Sequence, residues 1–376
     1  MFLPQKYKKL MGEDKMSDIV KGAGINGVAG RVGRLTAFQL VQLGVPIGSV
    51  NDLAKTGAIV ESLANKDGVH GTLDWKVERR DESTIAINGS PVRVFHEKDP
   101  AAIEWGSDVY AVAECAGPFV ERSAAEKHFT KNPQLETVLI SAPGKGDLNT
   151  YVMAVNHTQY NPANPKDRVV SNASCTTKAL SLPLIALINA GVSVYAVLMD
   201  TTHAATNTQR VLGYMSERGS LNEIVSSKTG AAIATTEVIP LLKGKMDGFA
   251  MRVPTTDGSF ANFYFVAEAP DLSVQFLNGV FKGAVSDPKY LGRIDVYDAR
   301  DDEDKPKEVA STDIVGNPAS SIMVLAKTKS ILLPHQGIVP ANQLALIGAV
   351  SGYDNELGPA KDLAMLTQYV LQQKKA

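Results

Sequence analysis

A glycine-rich turn between an apolar strand and a helix constrains the fold of this chain more than any other feature. Residues 19–27 (IVKGAGING) read as a short buried strand, residues 31–44 have helical spacing, and residues 45–52 return as a second apolar strand. Strand, helix and strand within about 35 residues form a βαβ unit, which predicts a parallel sheet. The predicted apolar face of the helix consists of Val32, Leu35, Phe38 and Val41.

The turn carries three regularly spaced glycines, Gly27, Gly30 and Gly33. Such glycines let backbone N–H groups approach a pyrophosphate at the N-terminus of a helix, which favours anions. The spacing is one residue longer than the usual G-x-G-x-x-G, so a glycine-rich turn without a ligand is the alternative. Asp52 ends the second strand nineteen residues after Gly33, where a carboxylate accepts hydrogen bonds from the adenosine ribose. This order predicts dinucleotide binding and favours NAD, because a carboxylate repels the 2′-phosphate of NADP; the alternative for Asp52 is a turn residue.

The two halves of the chain have different strand patterns. Residues 84–95 alternate around Asn88-Gly89 and predict a hairpin, and residues 107–117 and 137–143 read as further buried strands. After about residue 190 the strands become longer and partly alternating, as in residues 192–203 and 260–269, with helices between them. The predicted fold is therefore an α/β Rossmann domain followed by an α+β domain with a mostly antiparallel sheet.

Composition excludes several classes of function. The net charge of −2 provides no field to recruit nucleic acid or anionic membrane, and no apolar run reaches the roughly 18 residues of a membrane span. Only two cysteines are present among 376 residues, which argues against a disulfide framework and favours a reduced, cytoplasmic setting. No metal site is predicted. Residues 1–17 are interpreted as a loose extension, with a targeting segment as the alternative.

Cys175 stands where an apolar strand passes into a helix, in the segment VVSNASCTTKAL. Unpaired N–H groups and the macrodipole stabilise a thiolate at a helix N-terminus, so the thiol becomes a plausible nucleophile toward a carbonyl. His203 follows a later strand in the segment MDTTHAATNTQR and could serve as the base across a cleft. A buried packing cysteine and an incidental histidine are the alternatives, and packing is also the alternative for Cys115.

Several motifs together resemble the phosphorylating glyceraldehyde-3-phosphate dehydrogenase family. In chain order they are INGVAGRVGRL, VNDLA, INGSPVRVFHEKDP, LISAPGKG, VVSNASCTT, TTHAATNTQR, TGAA, AMRVPT and GYDNELG. The resemblance spans roughly residue 19 to the C-terminus, and SNASCTT combined with MRVPT and YDNE is highly specific. It implies an NAD-binding domain over 18–174, a catalytic domain over 175–358, a C-terminal helix over 359–376 that returns to the first domain, and a homotetramer.

The resemblance also implies roles for individual residues. Cys175 is implied as the nucleophile that forms a thiohemiacetal and then a thioester, and His203 as the base that activates it. Contacts with the cofactor NAD are implied for Gly27, Gly30, Arg31, Val32, Gly33, Asp52, Lys98, Ser141 and Asn355. Binding of the substrate phosphate is implied for Arg252 and Thr206, and binding of the attacking inorganic phosphate for Ser174, Thr176, Thr229 and Gly230. Without the resemblance, several of these positions read as caps, turns or surface ion pairs.

The chain departs from the family pattern at several positions. The turn contains an extra residue, Ala29, and the family commonly has Arg in place of Lys98, Asp in place of Thr208 and Tyr in place of Pro359. Lys178 replaces the usual Asn after SCTT; it either approaches the thiol of Cys175 or is a solvated helix residue. The loop between His203 and Thr229 is shorter and lacks an arginine-rich stretch, and either Arg218 or Lys228 replaces that charge or both are ordinary surface residues.

Three functions compete at this point. The first is NAD-dependent, phosphorylating oxidation of glyceraldehyde 3-phosphate in glycolysis or gluconeogenesis. The second keeps the thioester chemistry but uses another phosphorylated aldehyde, such as erythrose 4-phosphate, or another acyl acceptor. The third is a catalytically weak protein that senses nucleotides or binds nucleic acid, which the joint presence of Cys175, His203, Arg252 and Asn355 argues against.

Overall fold

The structure is a computed structural model, and it describes residues 21–65, 67–206, 209, 211–212, 218–298, 308–334 and 342–373. The predicted extension over 1–17 lies outside the described residues, as do Thr208 and most of the loop that follows it. Two β-sheets organise the described chain, one of nine strands and one of eight.

The first sheet is built from the first half of the chain. Its strands are β1 (Gly22–Asn26), β2 (Ile47–Asn51), β3 (Val77–Arg79), β4 (Thr84–Ile87), β5 (Ser90–Phe95), β6 (Val109–Glu114), β7 (Thr137–Ile140), β8 (Asn149–Thr150) and β9 (Val169–Ser171). They lie in the order β3-β4-β5-β2-β1-β6-β7-β9-β8. All pairings from β5 to β8 are parallel, whereas β3, β4 and β5 pair antiparallel. The prediction of a parallel α/β sheet is confirmed.

The α-helices cover both sheets, and short 3-10 turns join them. They are α1 (Arg31–Gln42), α2 (Thr56–Ala64), α3 (Arg122–Ala125), α4 (Cys175–Asn189), α5 (Ala231–Val238), α6 (Val274–Ser286) and α7 (Leu357–Gln372). The predicted C-terminal helix thus begins two residues earlier than expected. None of these helices combines the length and the apolar content that a bilayer span requires.

Helix α1 buries a different face from the predicted one. Its buried side includes Gly33, Thr36, Ala37 and Leu40, whereas Val32, Phe38 and Val41 are only half-buried. The reason is that this face meets the glycine turn and the sheet: Gly33 lies against the Gly27 carbonyl and Thr36 contacts Cys115 after β6, while α7 packs along the helix. Leu35 is the one member of the predicted face that is fully buried.

The Asn88-Gly89 hairpin forms as predicted. Asn88 has a φ of 48° and Gly89 a φ of 85°, which is the left-handed pair that a two-residue hairpin turn requires. The turn joins β4 to β5, and β5 then lies beside β2. This places the end of β5 next to the end of β2, at the edge of the sheet where Asp52 lies.

The second sheet is built from the second half of the chain. Its strands are β10 (Ser193–Ala204), β11 (Val225–Lys228), β12 (Met246–Val253), β13 (Ser259–Ala269), β14 (Ile294–Tyr297), β15 (Ser321–Val324), β16 (Lys329–Leu332) and β17 (Gln343–Tyr353). Most pairs are antiparallel, but β10 runs parallel to β12 and β14 runs parallel to β15. The prediction of a mostly antiparallel α+β sheet is confirmed.

Each sheet has its own apolar core. The first core lies around β1, β2, β6, α1 and α7, with Leu363 and Leu366 of α7 fully buried in it. The second core lies between the long strands β10, β13 and β17 and the helices α4, α5 and α6, with Phe263 and Phe265 at its centre. Helix α7, although last in the chain, therefore packs against the first sheet.

Candidate active site

The residue Cys175 begins helix α4, and three residues separate it from the end of β9. Ser174 is the N-cap of this helix, and its Oγ accepts a hydrogen bond from the Thr177 amide at 3.0 Å. Ala173, just before the cap, has a left-handed φ of 58°. A non-glycine residue in that region stores about 1–3 kcal/mol of strain, and such strain is concentrated at functional sites. The tight turn aims the half-buried thiol out of the helix start.

The imidazole of His203 lies directly beside the thiol. Its Nε2 is 3.5 Å from Sγ of Cys175, and its Nδ1 is 2.7 Å from the carbonyl oxygen of Ala204. The Ala204 carbonyl only accepts hydrogen bonds and the Asn355 amide nitrogen beside Nε2 only donates, so two contacts assign the proton to Nδ1 and the lone pair to Nε2, facing the thiol. The Arg252 guanidinium beside Nδ1 opposes this assignment, because it also only donates. His203 is 7% exposed, and its strand β10 comes from the second sheet, whereas Cys175 follows the first.

The surroundings lower the pKa of the Cys175 thiol. Burial alone would raise this pKa, but the hydrogen bond and the charge of His203, the charge of Lys178 and the hydroxyl of Thr176 outweigh it. Burial raises the pKa of the other cysteine, Cys115, to about 12, with the nearby carboxylate of Glu114 adding to the effect. The two thiols therefore differ sharply in reactivity, and only Cys175 has the properties of a nucleophile.

The side chain of Asn355 completes the cluster from the loop between β17 and α7. Its Nδ2 lies 3.2 Å from Nε2 of His203 and 3.9 Å from Sγ of Cys175. Its Oδ1 accepts a hydrogen bond from Ser259 Oγ at 2.9 Å, and its backbone amide donates to Asp257 Oδ1 at 2.7 Å. The contact with Ser259 fixes the amide orientation, so the nitrogen and not the oxygen points toward the thiol.

A buried hydroxyl network supports the site and was not predicted. The OH of Tyr353 lies 2.9 Å from Thr176 Oγ1 and 2.7 Å from Thr201 Oγ1, linking α4, β10 and β17. Ser259 joins the second sheet to the site in the same way, because its Oγ also accepts a hydrogen bond from the Ala204 amide at 2.9 Å. Tyr353 lies in the quoted YDNE motif and Thr201 in the quoted TTHAATNTQR motif, but neither hydroxyl was assigned a role, and no signal in the sequence pointed to Ser259.

The glycine-rich turn lies at the carboxyl edge of the first sheet, between β1 and α1. A Cβ on Gly33 would lie 2.0 Å from the carbonyl oxygen of Gly27, and a Cβ on Gly27 would lie 2.8 Å from the Ala116 amide. Gly27 also has a positive φ of 76°. Only glycine allows α1 to begin this close to the turn, which is the form a pyrophosphate-binding cradle takes, so these residues fit NAD.

The carboxylate of Asp52 reaches the same turn from the end of β2. Its Oδ2 accepts a hydrogen bond from the Ala29 amide at 2.9 Å, and its Oδ1 accepts one from the Ala54 amide at 3.0 Å. Each oxygen keeps a further lone pair, so both can still accept a hydroxyl hydrogen bond. The extra residue Ala29 thus contacts the acid that the sequence assigned to the ribose.

The remaining predicted cofactor residues follow the same carboxyl edge. Gly30 is the N-cap of α1, and Arg31 and Val32 are its first two residues, whose amides have no partner within the helix. Lys98 is exposed after β5, and Ser141 is half-buried after β7. Parallel strands end at one edge, and this edge is where ligands bind in such sheets.

An ionic cluster joins the turn to the second half of the chain. Arg31 contacts the carboxylate of Glu356 and donates to the Thr256 carbonyl at 3.0 Å. His70 Nε2 lies 2.9 Å from Asp354 Oδ2 and 3.4 Å from Asp257 Oδ2. Burial would lower the pKa of His70, but its hydrogen bonds to Asp257 and Asp354 raise it to about 9. These three side chains have the spacing of metal ligands, but an imidazolium between two carboxylates explains the arrangement.

Some of the predicted anion-binding residues contact the Cys175–His203 pair directly, and others do not. Arg252 is the cross-strand neighbour of His203; its Nη1 contacts His203 Nδ1 and lies 3.4 Å from the Ala204 carbonyl oxygen. Thr206 follows β10 by two residues and is half-buried. Thr176 is buried, and its hydroxyl shares a hydrogen bond with the hydroxyl of Tyr353.

The other two predicted anion-binding residues lie before helix α5. The hydroxyl of Thr229 accepts a hydrogen bond from the Ala231 amide at 3.1 Å, and Gly230 is the exposed N-cap of α5. Both positions thus also have the features of a helix start. No contact among the described residues joins them directly to Cys175 or His203.

Lys178 corrects one expectation. The alternative of a solvated helix residue is wrong, because Lys178 is fully buried and its ammonium donates to the carbonyl groups of Asn172 and Ala173. Arg218, by contrast, is a surface residue whose side chain is 72% exposed and lies 3.6 Å from Glu223. Lys228 is also exposed.

Comparison with known proteins agrees with this geometry. The NAD-binding domain model of glyceraldehyde 3-phosphate dehydrogenase matches residues 22–122, and the C-terminal domain model matches residues 174–343. A glyceraldehyde-3-phosphate dehydrogenase of Streptomyces coelicolor is 37% identical over 355 residues, covering 92% of this chain and 97% of the relative. Similar proteins of that name from Agaricus bisporus and Chlamydia pneumoniae are 35% and 34% identical, each covering 93% of this chain and 97% and 99% of the relative.

The two matched models cover residues 22–122 and 174–343, which include the glycine turn, Cys175 and His203, and the Streptomyces coelicolor relative covers 92% of the chain. The cofactor of the first domain is NAD, as the matched model states and as the glycine cradle and Asp52 suggest. The chain belongs to the glyceraldehyde-3-phosphate dehydrogenase family and is one of its NAD-dependent oxidoreductases.

Proposed function

We propose that this chain catalyses the NAD-dependent, phosphorylating oxidation of glyceraldehyde 3-phosphate to 1,3-bisphosphoglycerate. The observation that carries the proposal is the 3.5 Å separation between Sγ of Cys175 and Nε2 of His203 at the start of α4. A thiol with a lowered pKa beside an imidazole is the arrangement that covalent catalysis on an aldehyde requires. The names of the relatives support the choice of aldehyde.

Cys175 supplies the nucleophile in the first half of the reaction. Its proton passes to Nε2 of His203, and the thiolate forms a C–S bond with the aldehyde carbon to give a thiohemiacetal. Nε2–H of His203 then stands close to the new oxygen and can stabilise its charge or protonate it. The Nδ1 contact with the Ala204 carbonyl holds the ring in the same orientation in its neutral and its protonated form.

NAD, when bound at the glycine cradle, supplies the acceptor for the hydride that leaves the adduct, so that a thioester remains on Cys175. Gly27, Gly30, Gly33 and the start of α1 would hold its pyrophosphate, and Asp52 its ribose. Lys98 and Ser141 would contact the cofactor along the edge of the sheet, and Asn355 would contact the carboxamide of its nicotinamide. Asn355 Nδ2 already points at the reacting pair.

Release of the product requires a second nucleophile. An oxygen of inorganic phosphate attacks the thioester carbon, the C–S bond breaks, and the thiolate of Cys175 is regenerated as the acyl phosphate leaves. Arg252 and Thr206 are proposed to bind the phosphate of the substrate, because a guanidinium suits bidentate phosphate contacts. Ser174, Thr176, Thr229 and Gly230 are proposed to bind the attacking phosphate through hydroxyl and amide groups.

The proposal is tested by following NADH formation from glyceraldehyde 3-phosphate while inorganic phosphate is varied. We expect saturable dependence on phosphate, and we expect Cys175→Ser to abolish turnover while it still binds NAD. Cys115→Ser is the matched control. Burial raises the pKa of the Cys115 thiol to about 12, so this thiol stays protonated and its replacement should leave the rate unchanged. Turnover that is independent of phosphate, or that survives Cys175→Ser, would reject the proposal.

A related reaction is the alternative, because the loop after His203 lacks the arginine-rich stretch. Arg218 lies beside Glu223 on the surface, and Lys228 is exposed. Among the described residues, no contact holds either cation at the predicted anion site. The alternative uses erythrose 4-phosphate as the aldehyde or another acyl acceptor than phosphate. The same assay run with erythrose 4-phosphate distinguishes the two, since the better substrate has the higher kcat/KM.

We also propose that the enzyme is a cytoplasmic homotetramer with an NAD-binding domain over 18–174 and a catalytic domain over 175–358. Support for self-association comes from the outer face of the second sheet, where Leu198 of β10 and Tyr264 of β13 are cross-strand neighbours and both about half exposed. An apolar sheet face of this kind is typical of an interaction surface. Light scattering on the purified chain gives the mass, and a monomer would contradict this assembly.

A further inference from the structure

The cation of Lys178 is buried on the helix that begins with the reactive thiol. Lys178 lies three positions after Cys175 in α4, so the two side chains leave neighbouring points of the same helix face. Its ammonium is fully buried and donates to the carbonyl groups of Asn172 and Ala173, with Nζ 3.4 Å from the Ala173 oxygen. These carbonyls belong to the strained turn that leads into Cys175.

The charged groups around Lys178 do not balance one another. Asp362 of α7 faces it, with Oδ2 accepting a hydrogen bond from Asn172 Nδ2 at 3.0 Å. The same carboxylate pairs with the buried guanidinium of Arg293, whose Nε lies 3.2 Å from Oδ1. Two buried cations thus share one carboxylate among the described residues. A buried charge is costly unless it is paired, so this pocket favours a second negative group nearby.

We propose that Lys178 is a positioning residue that holds Cys175 as a thiolate, acting as a counter-charge separate from His203. The inference deepens the proposed function, since it takes Cys175 to be the reacting thiol. The thiolate is the second negative group that the pocket of Lys178, Arg293 and Asp362 favours. In return, the ammonium stabilises the thiolate whether or not the imidazole carries a proton, so the nucleophile persists after His203 gives its proton away.

The titratable groups near Cys175 and Lys178 raise or lower the pKa values of these two side chains. For Cys175, burial opposes ionisation, whereas His203 and Lys178 favour it and lower the pKa of the thiol. Burial, with the charge of Arg293 adding to it, lowers the pKa of Lys178 to about 8, and the charges of Asp362 and Cys175 oppose the shift. Tyr353, also near the thiol, is held neutral because burial and the Cys175 charge raise its pKa. At neutral pH the lysine therefore still carries its proton.

A purely structural role is the competing explanation, because the ammonium also ties two carbonyls of the turn. The two explanations differ in what they predict for the ionisation of Cys175. The rate of alkylation by iodoacetamide measures the thiolate fraction and needs neither aldehyde nor NAD. Mass spectrometry of the modified peptide separates Cys175 from Cys115, which burial keeps protonated.

The test compares the full-length protein with Lys178→Asn, Lys178→Met and Lys178→Arg, each also in a His203→Asn background. With the cation removed, we expect Cys175 alkylation at pH 7 to slow about tenfold and its pH midpoint to rise, in both backgrounds. Lys178→Arg keeps a cation and should keep most of the rate. If Lys178→Met fails to fold by circular dichroism, Lys178→Asn carries the comparison, because the resemblance places asparagine at this position.

Folded Lys178→Asn that alkylates with the wild-type pH profile would overturn the inference and leave a structural role. A loss of the effect in the His203→Asn background would equally overturn it, since the counter-charge would then act only through His203. Neither result depends on which aldehyde is oxidised. A failure of the proposed function would instead appear as absent NADH formation by the wild-type protein, while the slower alkylation of Lys178→Asn relative to wild type remains.

Discussion

The carboxylate of Asp52 accepts a hydrogen bond from the backbone amide of Ala29, with Oδ2 2.9 Å from the nitrogen. Ala29 is the residue by which the glycine turn exceeds the usual spacing, so the longer turn is tied to the acid at the end of β2. The second oxygen is held by the Ala54 amide. The carboxylate is therefore fixed in place before a cofactor arrives, which favours selection between ribose and 2′-phosphoribose.

Asp52→Ser should weaken the preference for NAD over NADP. Removing the carboxylate deletes both the acceptor for the ribose hydroxyls and the repulsion of the 2′-phosphate. We expect KM for NAD to rise about tenfold while kcat/KM for NADP rises, because a lost charged hydrogen bond costs about 1.5–3 kcal/mol. Steady-state kinetics with both cofactors measure the ratio. Glu97→Ser, at an exposed neighbouring position, is the control, and an unchanged ratio in Asp52→Ser would contradict the role of Asp52.

His203→Asn should slow the oxidation by about 10²–10⁴-fold, the range over which general acid–base catalysis contributes. The imidazole contacts Cys175 Sγ at 3.5 Å, and both its hydrogen bond and its charge lower the pKa of the thiol. In its absence the pH at which the rate is half-maximal should move upward. The measurement is the pH profile of single-turnover NADH formation. A variant with the wild-type pH midpoint would show that His203 does not set the ionisation of Cys175.

Ser259→Ala should lower kcat more than it changes KM. Its hydroxyl donates to Asn355 Oδ1 at 2.9 Å and accepts from the Ala204 amide at 2.9 Å. Without it, the Asn355 amide loses the contact that aims its nitrogen at the reacting pair, and a roughly tenfold fall in kcat is expected from about 1.4 kcal/mol. Ser330→Ala on β16, outside this network, serves as the comparison. Equal kinetics for the two variants would show that Asn355 is oriented by other contacts.

The sequence predicted the parts of the site that depend on local pattern. The strand-to-helix position of Cys175, the strand end of His203 and the spacing of Gly27 and Asp52 are each read within one short segment of the chain. Such features follow from strand edges and helix starts, which sequence patterns mark well. The hairpin at Asn88 formed as predicted for the same reason, because its backbone conformation is set by two residues.

The rest of the site could not be predicted because it depends on contacts between distant segments. His70 and Asp354 are separated by 284 positions, and Tyr353 reaches Thr176 across 177 positions. Lys178 showed the limit most clearly, because a lysine in a helix reads as solvated unless its partners are known. Helix α1 likewise packs against α7 from the other end of the chain, a contact that the helical spacing of residues 31–44 does not show.

His70→Gln should destabilise the fold in a pH-dependent way. The pKa of His70 is raised from 6.5 to about 9, so the folded chain holds a proton that the unfolded chain loses in that window. The stabilisation is therefore complete below about pH 6.5 and disappears as the pH rises through about 9. At pH 7 we expect the variant to lose on the order of 2 kcal/mol, because the carboxylates of Asp257 and Asp354 are left without their cation.

The measurement is the difference in unfolding free energy between wild type and His70→Gln from pH 6 to pH 10. The difference cancels other groups that titrate in this range, including Lys178 and Lys361, whose pKa values burial lowers to about 8. It should shrink steadily above pH 7. The control is His96→Gln, whose exposed ring contacts the Thr56 hydroxyl and the Asp52 carbonyl and not a pair of carboxylates. If the difference in unfolding free energy stays constant for His70→Gln, His70 is neutral in the folded chain. The cluster of His70, Asp257 and Asp354 would then have the free imidazole nitrogen that a cation site needs.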